Sequence, residues 1–107
     1  MNTQPTSDGR TALALGPEMT IAFAAATRDT LAAALQAGHG DLALDLGRVS
    51  DFDSSGVQLL LATRRSLLER GDMLQLRSAS ATVIDALATF GLHDLLPGAA
   101  PAPTDAA

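Results

Sequence analysis

Apolar positions along the chain recur at two spacings, and the switches between them mark out the elements. At 41–46 the order is Asp-Leu-Ala-Leu-Asp-Leu, so Leu42, Leu44 and Leu46 share one side of an extended segment while Asp45 falls on the other. That alternation is the mark of a strand covered on one face. MLQLR at 73–77 repeats it, with Leu74 and Leu76 on one side and Met73, Gln75 and Arg77 on the other. TALAL at 11–15 reads as a further strand, closed by the turn signal Gly16-Pro17. MTIAF at 19–23 sets Ile21 and Phe23 among smaller residues and fits either a second strand or the lead into a helix.

Helical spacing takes over between these segments. Ala24 to Gln36 is rich in alanine, carries Leu31 and Leu35 one turn apart, and ends at Gly38 and Gly40. In VQLLLATRRSLLER, at 57–70, Val57, Leu60, Leu61, Leu67 and Leu68 form a stripe that Gly71 stops. SASATVIDALATFG brings Val83, Leu87 and Phe90 together at intervals of four and three, with Ile84 beside them and Gly91 as terminator. Both stripes are expected to face the core, because so short a chain has little apolar surface to spare. Strands separated by single helices require crossover connections. The expected fold is therefore α/β, a small mixed β-sheet covered by helices that begin near Ala24, Ser55 and Ser80.

A chain of 107 residues holds one such unit. Residues 1–10 are polar and residues 97–107 are rich in proline and alanine, so both are expected to be flexible tails around a body at 11–96. LHDLLP, before the second tail, is too short to assign. No apolar run approaches the roughly 20 residues that span a bilayer, and a cytoplasmic protein without direct membrane contact is expected.

Charge and chemistry narrow the function. Twelve acids face seven basic residues, all of them arginine, for a net charge of −5. Nucleic acid is a poor partner for such a surface. Cysteine is absent, and the two histidines, His39 between glycines and His93 near a helix end, have no zinc-ligand spacing, so neither a metal nor a cofactor is expected. The aspartates at 41, 45, 51 and 53 do not match a calcium loop, and no glycine precedes the serines as a nucleophile elbow would need. A non-enzymatic protein that acts by binding fits this inventory.

The informative segment is Asp51-Phe52-Asp53-Ser54-Ser55-Gly56, between an expected strand and an expected helix. One of Asp53, Ser54 or Ser55 caps that helix, since their oxygens accept from the free N–H groups of a first turn. Capping does not explain an aromatic residue between two acids or a pair of adjacent hydroxyls. A loop at the C-terminal edge of such a sheet is also where partners of α/β proteins commonly meet them. All six residues are therefore candidates for partner binding.

The run from Asp45-Leu46-Gly47 through Phe52-Asp53-Ser54-Ser55-Gly56, into the LLLA helix, RGDMLQLR and a third helix ending FGL, resembles a STAS domain, the fold of bacterial anti-sigma-factor antagonists. The resemblance covers about residues 11–96. It implies that Ser55, the second serine of the motif, is phosphorylated by a serine kinase of the anti-sigma type, and that a serine phosphatase reverses this. It further implies that Asp53 contacts the kinase or shapes the loop, and that Gly56 keeps the loop accessible. The unphosphorylated form would bind the anti-sigma factor and release the sigma factor. Gly47 stands where the family often has serine, and Val57-Gln58 where many antagonists have an aliphatic residue and glycine. The alternative is a STAS accessory subunit of a chemotaxis-linked signalling complex or of a lipid ABC transporter.

Overall fold

The computed structural model describes residues 3–5 and 11–96. The strands are β1 (Thr3–Pro5), β2 (Thr11–Ala14), β3 (Glu18–Met19), β4 (Leu42–Leu46), β5 (Asp51–Phe52) and β6 (Leu74–Ala79). The helices are α1 (Ala24–Ala37), α2 (Ser54–Glu69) and α3 (Ala81–Thr89), with 3-10 turns at Ile21–Phe23 and His93–Leu95. A four-stranded sheet runs in the order β1-β2-β4-β6. Its β2-β4 and β4-β6 pairs are parallel, and β1 is antiparallel to β2.

The two crossovers, β2-α1-β4 and β4-α2-β6, step across the sheet in the same direction. With the usual right-handed connection, both helices must land on one face. The burial pattern agrees. Leu13, Leu42, Leu44, Leu46, Leu74 and Leu76 point into a single core with Leu31 of α1, Leu60 and Leu67 of α2, and Val83 and Leu87 of α3. Each leucine fully buried there stabilises the domain by about 1.5–3 kcal/mol. The opposite face carries Ala12, Ala14, Ala43, Asp45 and Arg77 around a shallow depression.

Sequence patterning over-assigned the core at three places. Leu68, Ile84 and Phe90 are exposed. Leu68 and Ile84 sit one step around the helix from Leu67 and Val83, which fill the core positions. Phe90 is displaced by the way α3 ends. Gly91 adopts φ +73°, its N–H donates to the Ala88 carbonyl at 3.0 Å, and the Leu92 N–H donates to the Leu87 carbonyl at 2.8 Å. This reversal turns Leu92 back toward the core in place of Phe90. Gly71 at φ +86° closes α2 in the same way, with Asp72 donating to Leu67.

Two further expectations change. Thr3–Pro5 is a strand on the edge of β2 rather than part of a tail; three residues carry too little pattern to announce it. MTIAF divides between both readings, Met19 ending β3 and Ile21–Phe23 forming the 3-10 lead into α1. The remaining expected tail residues, 1–2, 6–10 and 97–107, lie outside the described residues. Among those described, no helix is long and apolar enough to cross a membrane.

Candidate partner-binding site

Beyond the C-terminal ends of β2 and β4, the chain forms a second, two-stranded parallel sheet that pairs Glu18 with Asp51 and Met19 with Phe52. It brings the 3-10 turn before α1 against the start of α2. The residue that joins them is Asp53. Its extended backbone makes it the N-cap of α2, and its Oδ1 accepts from the Ser55 N–H at 2.8 Å. Its carbonyl accepts from Gly56 at 2.9 Å and Val57 at 3.3 Å. The second carboxylate oxygen, Oδ2, accepts from the Ile21 N–H at 3.0 Å. Of the three possible caps, Asp53 is the one used, and it serves two helical starts at once.

These N–H groups, that of Ile21 above all, hold the Asp53 carboxyl below the ordinary aspartate value. A depressed carboxyl contributes stability above the unfolded-state pKa of about 3.9 that is lost as pH falls through the folded value. Asparagine keeps one acceptor but places an amide NH2 against the second donor. Asp53→Asn is therefore expected to melt lower than wild type at neutral pH, with the gap narrowing below about pH 4. Melting followed by circular dichroism at both pH values checks this, and a gap that widens in acid contradicts the two-donor assignment. Asp45, on the open sheet face, is held low in the same sense by the Ser78 hydroxyl and then the Gly47 N–H.

The remaining motif residues divide by exposure. Asp51 and Ser54 are exposed, Phe52 and Ser55 half-buried, and Gly56 buried. Gly56 allows a close approach. A Cβ there would lie 2.6 Å from Phe52 Cε1 and 2.9 Å from the Met19 carbonyl oxygen. Phe52 therefore lies against the first turn of α2 and is half-buried there.

Ser55 opens onto a groove of about 450 Å³ between the starts of α1 and α2, lined also by Ile21, Ala24, Ala25, Arg28, Gln58 and Leu59. Ile21 is 73% exposed, the most of the large apolar side chains among the described residues, and Phe23, close by in the same turn, is exposed as well. Motif reading missed this groove. The available signal was helical phase, because Ile21, Ala24, Ala25 and Arg28 follow one face and Ser55, Gln58 and Leu59 another.

The arginines of the α2 surface have structural partners. Arg70 donates to the carbonyls of Leu35 at 2.7 Å and Gly40 at 3.1 Å and pairs with Asp72, stitching α1 to α2. Arg64 pairs with Asp94 at 2.9 Å, while Arg65 and Glu69 stay exposed. His39 and His93 are exposed, and neither lines the Ser55 groove. Among the described residues, no three potential ligands gather as a metal site.

A family model described as "Mlab, STAS domain" matches residues 2–97. The search of curated proteins gives no match. Among solved structures, the anti-sigma factor antagonist SpoIIAA in its unphosphorylated form is similar, with a TM-score of 0.75 and 22% identity over 98% of this chain and 90% of that one. At that identity the likeness speaks for the fold: a small, largely parallel sheet with three helices. With the family model spanning nearly its whole length, the chain belongs to the STAS-domain family.

Proposed function

We propose that this protein is a non-enzymatic regulator of the anti-sigma-factor-antagonist type, which docks a serine kinase or anti-sigma factor through the surface around Ser55 and is switched by phosphorylation there. The observation that carries the reading is the position of Ser55, half-exposed in the first turn of α2, as part of the lining of a groove whose other residues are mostly apolar. A neutral hydroxyl at that point can be covered by a partner. A phosphate there is strongly hydrated, and covering it costs desolvation. Transfer from a nucleoside triphosphate forms the Oγ–P bond, breaks the bond to the leaving diphosphate and releases the hydroxyl proton; a serine phosphatase hydrolyses the ester. Ser55 lies in the first turn rather than beside a histidine base, which supports a binding role over a nucleophilic one.

The test is incubation with candidate serine kinases of the anti-sigma type, followed by phosphopeptide mass spectrometry. Phosphate is expected on Ser55. Ser55→Ala should abolish incorporation and keep partner binding, whereas Ser54→Ala should leave most incorporation intact. Phosphate on Ser54 instead, or a phosphorylated form that binds as tightly as the unmodified one, contradicts the switch.

The large exposure of Ile21 and Phe23 also favours a second reading, an accessory subunit of a transporter or chemotaxis complex, since lasting interfaces are the more apolar ones. It uses the same surface. Binding that needs Ile21 and ignores phosphate at Ser55 would select it.

A further inference from the structure

Of the side chains that line the Ser55 groove, Arg28 of α1 alone is charged. Its neighbours there are Ile21, Ala24, Ala25, Gln58 and Leu59, all apolar or neutral. Arg28 also borders the next stretch of the α1/α2 groove, beside Leu31, Leu35 and Leu59, so it sits at the seam between the two helices. Among the described residues its ion pair is with the adjacent Asp29, at 3.7 Å, and these side chains are 69% and 77% exposed. Such a contact holds a long side chain weakly. Arg28 is thus the charged member of the groove lining that also holds Ser55, and the weak pair with Asp29 does little to keep it elsewhere.

Resting on the reading that Ser55 is the modified residue, we propose that phosphoserine at position 55 recruits Arg28 into an intramolecular ion pair across the mouth of the groove. A phosphoserine carries about −1.5 to −2 charges and three acceptor oxygens. The guanidinium presents a planar fork of donors that fits two of them, on a stem long and flexible enough to change direction. The pair spans the apolar floor that an unmodified protein offers to a partner. Phosphorylation then does two things: it adds a hydrated charge, and it removes the one cation that a partner's acidic group would use. The elements around this end of the molecule also carry acids: Glu18 on β3, paired with Asp51 on β5, Asp53 at the cap of α2 and Asp29 on α1. All four disfavour the dianion, and Arg28 opposes them.

Phosphoserine installed at position 55 during translation makes the test independent of any kinase, so failure to find a kinase and failure of the ion pair are separate results. The measurement is a phosphorus-31 NMR titration through the second phosphate ionisation, near pH 6. Wild type is expected to ionise about 0.5–1 pH unit below Arg28→Gln, as an opposite charge a few ångströms away in a wet site requires. Arg28→Lys should recover much of that difference, and salt near 1 M should shrink it. Because Arg28 is exposed, the melting midpoints of the variants should stay close to wild type. Identical titrations of wild type and Arg28→Gln would overturn the proposal, as would a difference that Arg28→Lys fails to recover.

Discussion

Gly56→Ala is expected to lower the melting midpoint by roughly 5–15 °C, a large loss for the addition of one methyl group. The added Cβ meets the Phe52 ring at 2.6–2.8 Å and the Met19 carbonyl oxygen at 2.9 Å. The ring can swing away, but the carbonyl belongs to β3, which is hydrogen-bonded to β5 and accepts the Asp53 N–H. Relief therefore has to move backbone. Overpacking of this kind costs about 1–3 kcal/mol. The helix propensity of alanine over glycine returns at most about 1 kcal/mol, and less in a first turn. Phe52→Leu in the same chain should restore part of the loss, because it removes the ring carbons that the methyl meets, and the double-mutant cycle should show coupling. A midpoint equal to or above wild type for Gly56→Ala would mean that α2 does not start against β3 as described.

Ser55→Asp is expected to separate binding from stability. In the first turn of α2 an added carboxylate gains roughly 0.3–1 kcal/mol from the helix end. Repulsion from the nearby Asp53 and Asp51 offsets that gain, so the melting midpoint should move by no more than a few degrees. Affinity for a kinase or anti-sigma partner should fall roughly 10- to 100-fold, the equivalent of about 1.4–2.7 kcal/mol. The cause is the position of the new charge at the edge of Ile21, Ala24, Ala25 and Leu59, where docking would strip its water. True phosphoserine, with more charge, should bind more weakly still. Isothermal titration beside thermal melting gives both quantities. Equal affinity of Ser55→Asp and wild type would place the docking surface elsewhere.

The three parallel strands of the central sheet and all three helices were legible because each depends on a repeated pattern. Leu42, Leu44 and Leu46 alternate with polar or small residues, and Gly71 and Gly91 stop two helices through a backbone conformation that other residues rarely adopt. The strand at 51–52 was not legible and that at 18–19 only as one of two readings of MTIAF, since two residues contain no period. Their pairing is tertiary, fixed by Ser50 donating to Pro17 and Asp53 to Met19. The site was half legible for the same reason. Asp53, Ser54 and Ser55 announce a cap, but the second donor on Asp53 comes from Ile21, thirty-two residues earlier. The groove follows from that distant contact, and with it the exposure of Ile21 and Phe23, which the sequence left open between a strand and the lead into a helix.

The parallel pairing of β2, β4 and β6 has a consequence for how the chain reaches this structure. Thr11 sits opposite Leu42, and Leu42 opposite Leu74, so each central pairing joins residues about thirty positions apart. No hairpin can nucleate this part of the sheet, and folding waits on the closure of two long crossovers. During synthesis α1 and α2 can form as soon as they emerge, but β4 stays open along one side until residue 79 has left the ribosome. Up to that point the leucines at 42, 44 and 46 lack a finished core, and the nascent chain is most exposed to association just before its last strand arrives.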